Sequence, residues 1–291
     1  MQIDLIGGHS RRIDPWAAVL WVVSLAAIAL FFWVLADIVW RGAGQVSWSF
    51  LVDEPRNAGR AGGIGSIVVS TVLILIVCLA TALPLAVGAA LFLVEIASPV
   101  HPFSRFVRVS LDTLAAVPSV VFGLFGYAFF CVTLGLGFSI LSGGLTLACM
   151  ILPLLIRTTE SSIRAVPQRY RYAAAALGFS KSRTMVRIVV PMASPGILVG
   201  TLLGLGRAIA ETVVLVFTSG YVDRMPSSLL DSGRSLSIHI FDLSMNVPGG
   251  EAAAYGTAVV LVCVLFVING AVLCLAKLWK SRTGLNVATA A

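Results

Sequence analysis

Two charged side chains of opposite sign, Arg207 and Glu211, stand inside an apolar run from Gly196 to Phe217 that is long enough to cross a bilayer. In a helix, a spacing of four puts both on one face. A charge in hydrocarbon costs about 2.5 to 3.5 kcal/mol on insertion scales, so such residues either line a substrate path or neutralise each other as a structural pair that fixes helix register. Spacing alone leaves both uses open. For a path, arginine has the chemistry an oxyanion needs, because its planar guanidinium presents paired N–H donors. Glu211 would keep it compensated when no anion is present and could accept a hydrogen bond from a protonated phosphate oxygen. Thr212 follows directly, and Ser119 stands behind Pro118 in a second apolar run that also holds Gly123 and Gly126. Small residues at a broken backbone suit a path, and equally suit close helix packing. Counting a rise of ~1.5 Å per residue from Gly196, Arg207 is expected about 16 Å into a hydrocarbon layer ~30 Å thick, a midplane arginine.

A second kind of chemistry, the docking of a soluble partner, is written in the loop 161–191. Pro167 opens a helix there, the alanines 173–176 propagate it, and Gly178 falls where a left-handed residue would stop it. Ser180 is placed to cap a second short helix. An exposed pair of this kind can seat a partner through Tyr172, Ala173, Ala174, Gly178 and Phe179, or it can be a basic juxtamembrane segment held by anionic lipid.

Other chemistries are excluded or unsupported. No stretch has the form Gly-x4-Gly-Lys-Ser/Thr, since Lys181-Ser182 lacks the preceding glycine, so the chain is not expected to hydrolyse ATP or to act as an enzyme. His9, His101 and His239 are scattered, and no cluster has metal-ligand spacing. The five cysteines all lie within apolar runs and follow neither disulfide nor zinc spacing, so they read as small hydrophobes.

The elements that must position these residues are membrane spans. A chain of 291 residues that is 58% hydrophobic and 11% charged, with a mean hydropathy of +0.99, cannot cover a soluble surface. The pattern predicts an all-α polytopic membrane protein with six transmembrane helices. A tail of residues 1–15 precedes a first span over 16–40, with Trp16, Trp33 and Trp40 as interfacial anchors, and a polar loop over 41–63 follows. The second run, Ile64 to Glu95, exceeds one crossing and contains Pro84, which predicts a kink or a protruding end. A third span is expected from about Leu111 to Leu136, interrupted by Pro118, and a fourth from Ser139 to Ile156. The fifth is the Arg207 run, where Gly196, Gly200, Gly204, Ala208 and Thr212 recur every fourth residue as a stripe for close helix approach. A polar segment over 218–251, with a short interfacial helix over Leu236–Leu243, leads to a sixth span from Ala252 to Leu278 and a tail over 283–291.

The net charge of +7 raises the possibility of nucleic acid, but its basic residues sit in loops between spans. Placing both termini in the cytosol puts fourteen Lys and Arg on that side and five (Arg41, Arg56, Arg60, Arg224, Arg234) on the other. The partner implied by this distribution is a lipid bilayer, with no nucleic acid.

Three motifs in order carry a family resemblance. The loop with Ala173-Ala174, Gly178 and the closing Pro191 resembles the "EAA" loop of ABC importer permeases, with Tyr172 in place of the glutamate. The stretch Ile151 to Glu160 before it and Gly206-Arg207-Ala208-Ile209-Ala210-Glu211-Thr212 after it resemble the A-type permeases of phosphate-specific importers, binding-protein-dependent inner-membrane components with a MetI-like fold. The resemblance spans roughly Gly62 to Arg282. It implies a five-helix type I importer core over 64–282, with the first helix outside it, and a coupling helix seated in a groove of an ATPase. It also implies a C-type permease subunit, an ATP-binding subunit dimer that holds ATP and magnesium, a periplasmic phosphate-binding protein, and inorganic phosphate as substrate. No cofactor on this chain is implied, and the location is the bacterial inner membrane. A similar Arg-to-Glu spacing occurs in sulfate and molybdate importers, so another oxyanion, including phosphonate, is an alternative. An ion-coupled secondary transporter is a further one, but it would show matching internal repeats, and none is evident.

Overall fold

The computed structural model describes residues 15–97 and 102–283. The basic pair Arg11 and Arg12, His101 and the tail beyond 283 lie outside the described residues.

Helix α1 (Pro15–Gly42) is exposed over most of its described side chains, with Trp16, Trp33 and Trp40 each at least two-thirds exposed, and only toward its end do Leu35, Asp37, Ile38 and Gly42 become shielded. It leans on the rest of the chain where a side chain at Gly42 would collide with the Tyr255 backbone, and where the Arg41 guanidinium lies 5.4 Å from the Tyr255 ring centroid. The polar loop after it is folded. Helix α2 (Trp48–Val52), capped by the Ser47 hydroxyl, precedes a hairpin of β1 (Pro55–Arg56) and β2 (Ala61–Gly62). The buried residues Phe50, Ile64 and Ile67 tie that loop to the core.

Helix α3 (Gly65–Leu91) passes Pro84 and continues as a π-helical turn over Phe92–Ile96, so the run is helical for longer than one crossing needs. The third span differs from expectation. Residues 111–115 belong to an amphipathic helix, α4 (Pro102–Ala115), which carries Arg105, Arg108 and Asp112. The chain then turns by 102° before α5 (Ser119–Gly126), which continues as a π helix through Thr133. Pro118 disfavours helical backbone at Val117, and the charged face of α4 has no place in hydrocarbon, so the crossing begins at Ser119 rather than Leu111.

Helix α6 (Ile140–Arg164) starts on a Ser139 cap and runs past the expected end at Ile156 to bury Thr159, Glu160 and Ile163. Two short helices follow, α7 (Gln168–Ala176) and α8 (Lys181–Thr184). A π turn over Met185–Val189 then leads into α9 (Val190–Ala210). The fifth span is thus helical from Lys181 and ends at Ala210; it does not continue unbroken to Phe217. The short α10 (Val213–Thr218) resumes beyond the break. Helix α11 (Leu236–Met245) extends the interfacial helix by two residues, and α12 (Glu251–Thr283) closes the bundle.

The largest core cluster brings together Ile74 and Cys78 of α3, Leu147, Ile151 and Leu155 of α6, Leu205 and Ala208 of α9, and Val214 and Leu215 of α10. Lipid tails are as apolar as these side chains, so close packing holds the bundle rather than removal from water. The stripe on α9 shows how. Side chains at Gly196, Gly200 and Gly204 would meet Ser162, Thr158 and Leu155 of α6 in turn, which makes the two helices antiparallel neighbours. Among the described residues five helices are long and apolar enough to cross a membrane, and a sixth crossing is reached when α5 with its π-helical continuation is counted as a span; α1 packs on the outside, mainly against α12.

Candidate functional site

The antiparallel register of α9 on α6 fixes the level of Arg207. Gly204 lies opposite Leu155 and Ile151, near the centre of the 25-residue α6, so Arg207 is about one turn further on, at mid-span. The helix that carries Arg207 starts and stops elsewhere than the count from Gly196 takes it, at Val190 and Ala210.

Arg207 occupies the last turn of α9. Glu211 is extended (φ −73°, ψ 125°), and its N–H reaches Ala208 O at 3.3 Å, so the chain leaves the helix there. Non-helical backbone at this depth persists only where it is buried in protein or lines a cavity. Here it is held from a distance: the Ser237 hydroxyl of α11 donates to Glu211 O at 2.7 Å. Thr212 begins α10 by accepting from Val216 N at 3.0 Å, and its side chain makes no capping bond.

Arg207, Glu211 and Ser119 are brought together. Arg207 and Ser119 are the side chains that act on the Glu211 carboxylate, Ser119 from the first residue of α5. Ser119 is brought there because α5 packs on α10, where Gly123 leaves room for Val214 and Phe217. Arg207 and Glu211 do not close into an ion pair within 4.0 Å, and among the described residues Arg207 makes no hydrogen bond. Arg207 is exposed, on a face that it shares with Val199 and Leu203. Glu211, Thr212 and Ser119 are half-buried. This is an arginine with free donors beside a half-shielded carboxylate, an arrangement suited to an anion.

The loop site forms as its caps predict. Gly178 adopts φ +74°, Phe179 N donates to Ala174 O at 3.0 Å, and Gly178 N donates to Ala175 O at 3.0 Å, the paired bonds of a Schellman stop. Ser180 caps α8 by accepting from Arg183 N at 3.4 Å. Of the expected contact residues, Tyr172 and Ala173 face outward, Phe179 is half-buried under the Arg183 guanidinium, and Ala174 is buried against the protein. Exposed Leu177 extends the apolar face and was not singled out from sequence, although a leucine among polar loop residues is a signal.

What anchors α7 also escaped the sequence. Arg171 points inward to the Glu95 carboxylate (Nε to Oε1, 2.8 Å) and to the carbonyls of Val166 and Ile163, at 2.7 and 3.2 Å. These bonds tie α7 to the π-helical end of α3 and to the end of α6.

A bundle of membrane helices that offers an arginine at a mid-span break and a capped helix pair at one end has the build of a transport permease rather than of an enzyme. Residues 82–283 match the family of binding-protein-dependent transport system inner membrane components, and the chain belongs to it, as the permease subunit of an ABC importer. Among relatives, it is 29% identical to the probable ABC transporter permease protein YqgI of Bacillus subtilis (strain 168), covering 85% of this chain and 88% of that protein. It is 33% identical to the phosphate transport system permease protein PstA of Mycobacterium leprae (strain TN), covering 89% and 87%. The fold is similar to a chain of the MetNI methionine ABC transporter, with a TM-score of 0.57 at 15% identity, over 75% of this chain and 94% of that one.

Proposed function

We propose that this chain is the A-type permease half of an importer for inorganic phosphate. It pairs with a C-type permease half and is driven by a dimer of ATP-binding subunits, which hold ATP and magnesium; a periplasmic phosphate-binding protein delivers the substrate. The observation that carries this reading is Arg207, exposed at mid-span with its donors unused and with Glu211 and Ser119 beside it. The open face of Val199, Leu203 and Arg207 is where the second permease half would complete the path. Sequence similarity to phosphate transport permeases favours phosphate among oxyanions. On this reading α7 is the coupling helix, with Tyr172, Ala173 and Leu177 meeting the ATPase, and nucleotide-driven closure would reorient the path through it.

The complete complex in proteoliposomes, supplied with its binding protein, is expected to take up labelled phosphate with competition by unlabelled phosphate and not by equal sulfate or molybdate. Equal competition by sulfate or molybdate would sink phosphate as the substrate.

The excess of basic residues at the α7–α8 end supports a cytosolic position for that end and for both termini. Single cysteines at Ser182 and Met225, both exposed, test it in a cysteine-free background. Only Met225→Cys should react with an impermeant thiol reagent added from the periplasmic side. Labelling of Ser182→Cys from that side would invert the protein.

A further inference from the structure

A pocket of about 310 Å3 lies where α4 meets the last turns of α6, lined by Arg108, Arg157, Glu160, Ser161 and Arg164. Its buried floor is Glu160, whose carboxylate receives Arg108 Nε at 3.0 Å, Arg157 Nη1 at 3.3 Å and Arg164 Nη2 at 2.7 Å. Three guanidiniums on one carboxylate leave positive charge in excess. Asp112, 66% exposed, also accepts from Arg157 Nε, at 3.0 Å, so three guanidiniums face two carboxylates and one positive charge is in excess. Backbone bonds fix the inner two arginines: Arg108 Nη2 donates to Leu93 O at 3.1 Å and Arg157 Nη2 to Arg108 O at 2.9 Å.

A purely structural network would balance its charges, because uncompensated charge near a low-dielectric interior is costly. This one instead leaves donors unused. Among the described residues, no hydrogen bond engages Arg108 Nη1, Arg164 Nε or Nη1, or the Ser161 hydroxyl. Planar N–H forks beside a hydroxyl match a tetrahedral oxyanion, and the volume is at the small end of ligand pockets.

We propose that this pocket binds a phosphate-bearing anion, either free inorganic phosphate or the head group of an anionic phospholipid, at a site separate from Arg207. Such an anion would neutralise the excess charge and brace α4, which leads into Ser119, against the end of α6, which leads into α7. The assignment rests on the pocket alone and not on which substrate the importer carries.

The test uses the assembled complex carrying Arg207→Gln, so that the candidate path contributes no guanidinium, in nanodiscs of phosphatidylcholine only. Equilibrium binding of labelled inorganic phosphate is compared before and after adding Arg164→Gln. Arg164 is half-exposed and its loss leaves Glu160 with Arg108 and Arg157, so the complex is expected to assemble. If free phosphate is the ligand, saturable binding weakens at least about tenfold, the loss expected for a charge-assisted bond. Ser161→Ala should act in the same direction and more weakly.

If a lipid head group is the ligand, free phosphate shows no Arg164-dependent binding. Phosphatidylglycerol or phosphatidic acid, supplied in the discs, is then retained by the parent complex and lost with Arg164→Gln. The proposal is overturned if neither phosphate nor anionic lipid depends on Arg164. Should Arg164→Gln fail to assemble, the same readings on Ser161→Ala decide, and unchanged binding of both ligands overturns it.

Discussion

Replacing both membrane charges, Arg207→Leu with Glu211→Leu, is expected to leave the complex assembled and to cut phosphate uptake per complex by about a hundredfold or more. A hydrogen bond to a charged group contributes about 1.5 to 3 kcal/mol, and a fork that donates two loses at least two decades when removed. Assembly should survive because neither residue is locked to the other: no ion pair joins them, and the break at Glu211 is held by the Ser237 hydroxyl on a backbone carbonyl. A structural pair forecasts the reverse. There, each single replacement would strand a charge and destabilise the protein, whereas the double replacement would restore both stability and uptake. Arg207→Lys should also transport poorly, since a point charge replaces a planar fork. Near-normal uptake by the double variant, measured against the amount of assembled complex, would reduce Arg207 and Glu211 to scaffold.

The second large effect is expected at Gly178. Its side-chain position is open, with no atom within 4 Å, so any defect on substitution comes from backbone conformation rather than from a clash. At φ +74° an ordinary L residue costs about 1 to 2 kcal/mol, and a β-branched one is a genuine outlier. Gly178→Val should therefore open the paired bonds to Ala174 O and Ala175 O and swing α8 away from α7, uncoupling ATP hydrolysis from transport while membrane insertion stays normal. Gly178→Asn separates causes, because asparagine tolerates the left-handed region and should keep most of the coupling. Full coupled transport in Gly178→Val, or equal loss in both variants, would mean that the conformation of this turn is not what the motor needs.

The sequence by itself determined what depends on near neighbours. Runs of apolar residues longer than a bilayer needs located the crossings. Cap chemistry at Gly178 and Ser180 set helix ends within one turn of chain, and the four-residue glycine stripe on α9 announced the close approach of another helix. Arg207 beside Glu211 stood out because charge in hydrocarbon is expensive wherever it occurs.

Only the tertiary structure decided the features whose stabilising partners are remote. A continuous apolar pattern through Glu211 and Thr212 reads as one helix; it breaks because Ser237, 26 residues on, accommodates the freed carbonyl. The run around Pro118 reads as an interrupted span, yet α4 turns away by 102°, and its Arg108 finds Glu160 on α6 and the backbone of Leu93. Arg171 anchors α7 through Glu95, 76 residues earlier, and neither residue's own surroundings signal the other. Hydropathy and caps are local quantities that a chain carries wherever it is. A helix break, a turned helix or a ring of arginines on one carboxylate is stable only when the bundle has brought its polar partners into place, so these features were settled by packing.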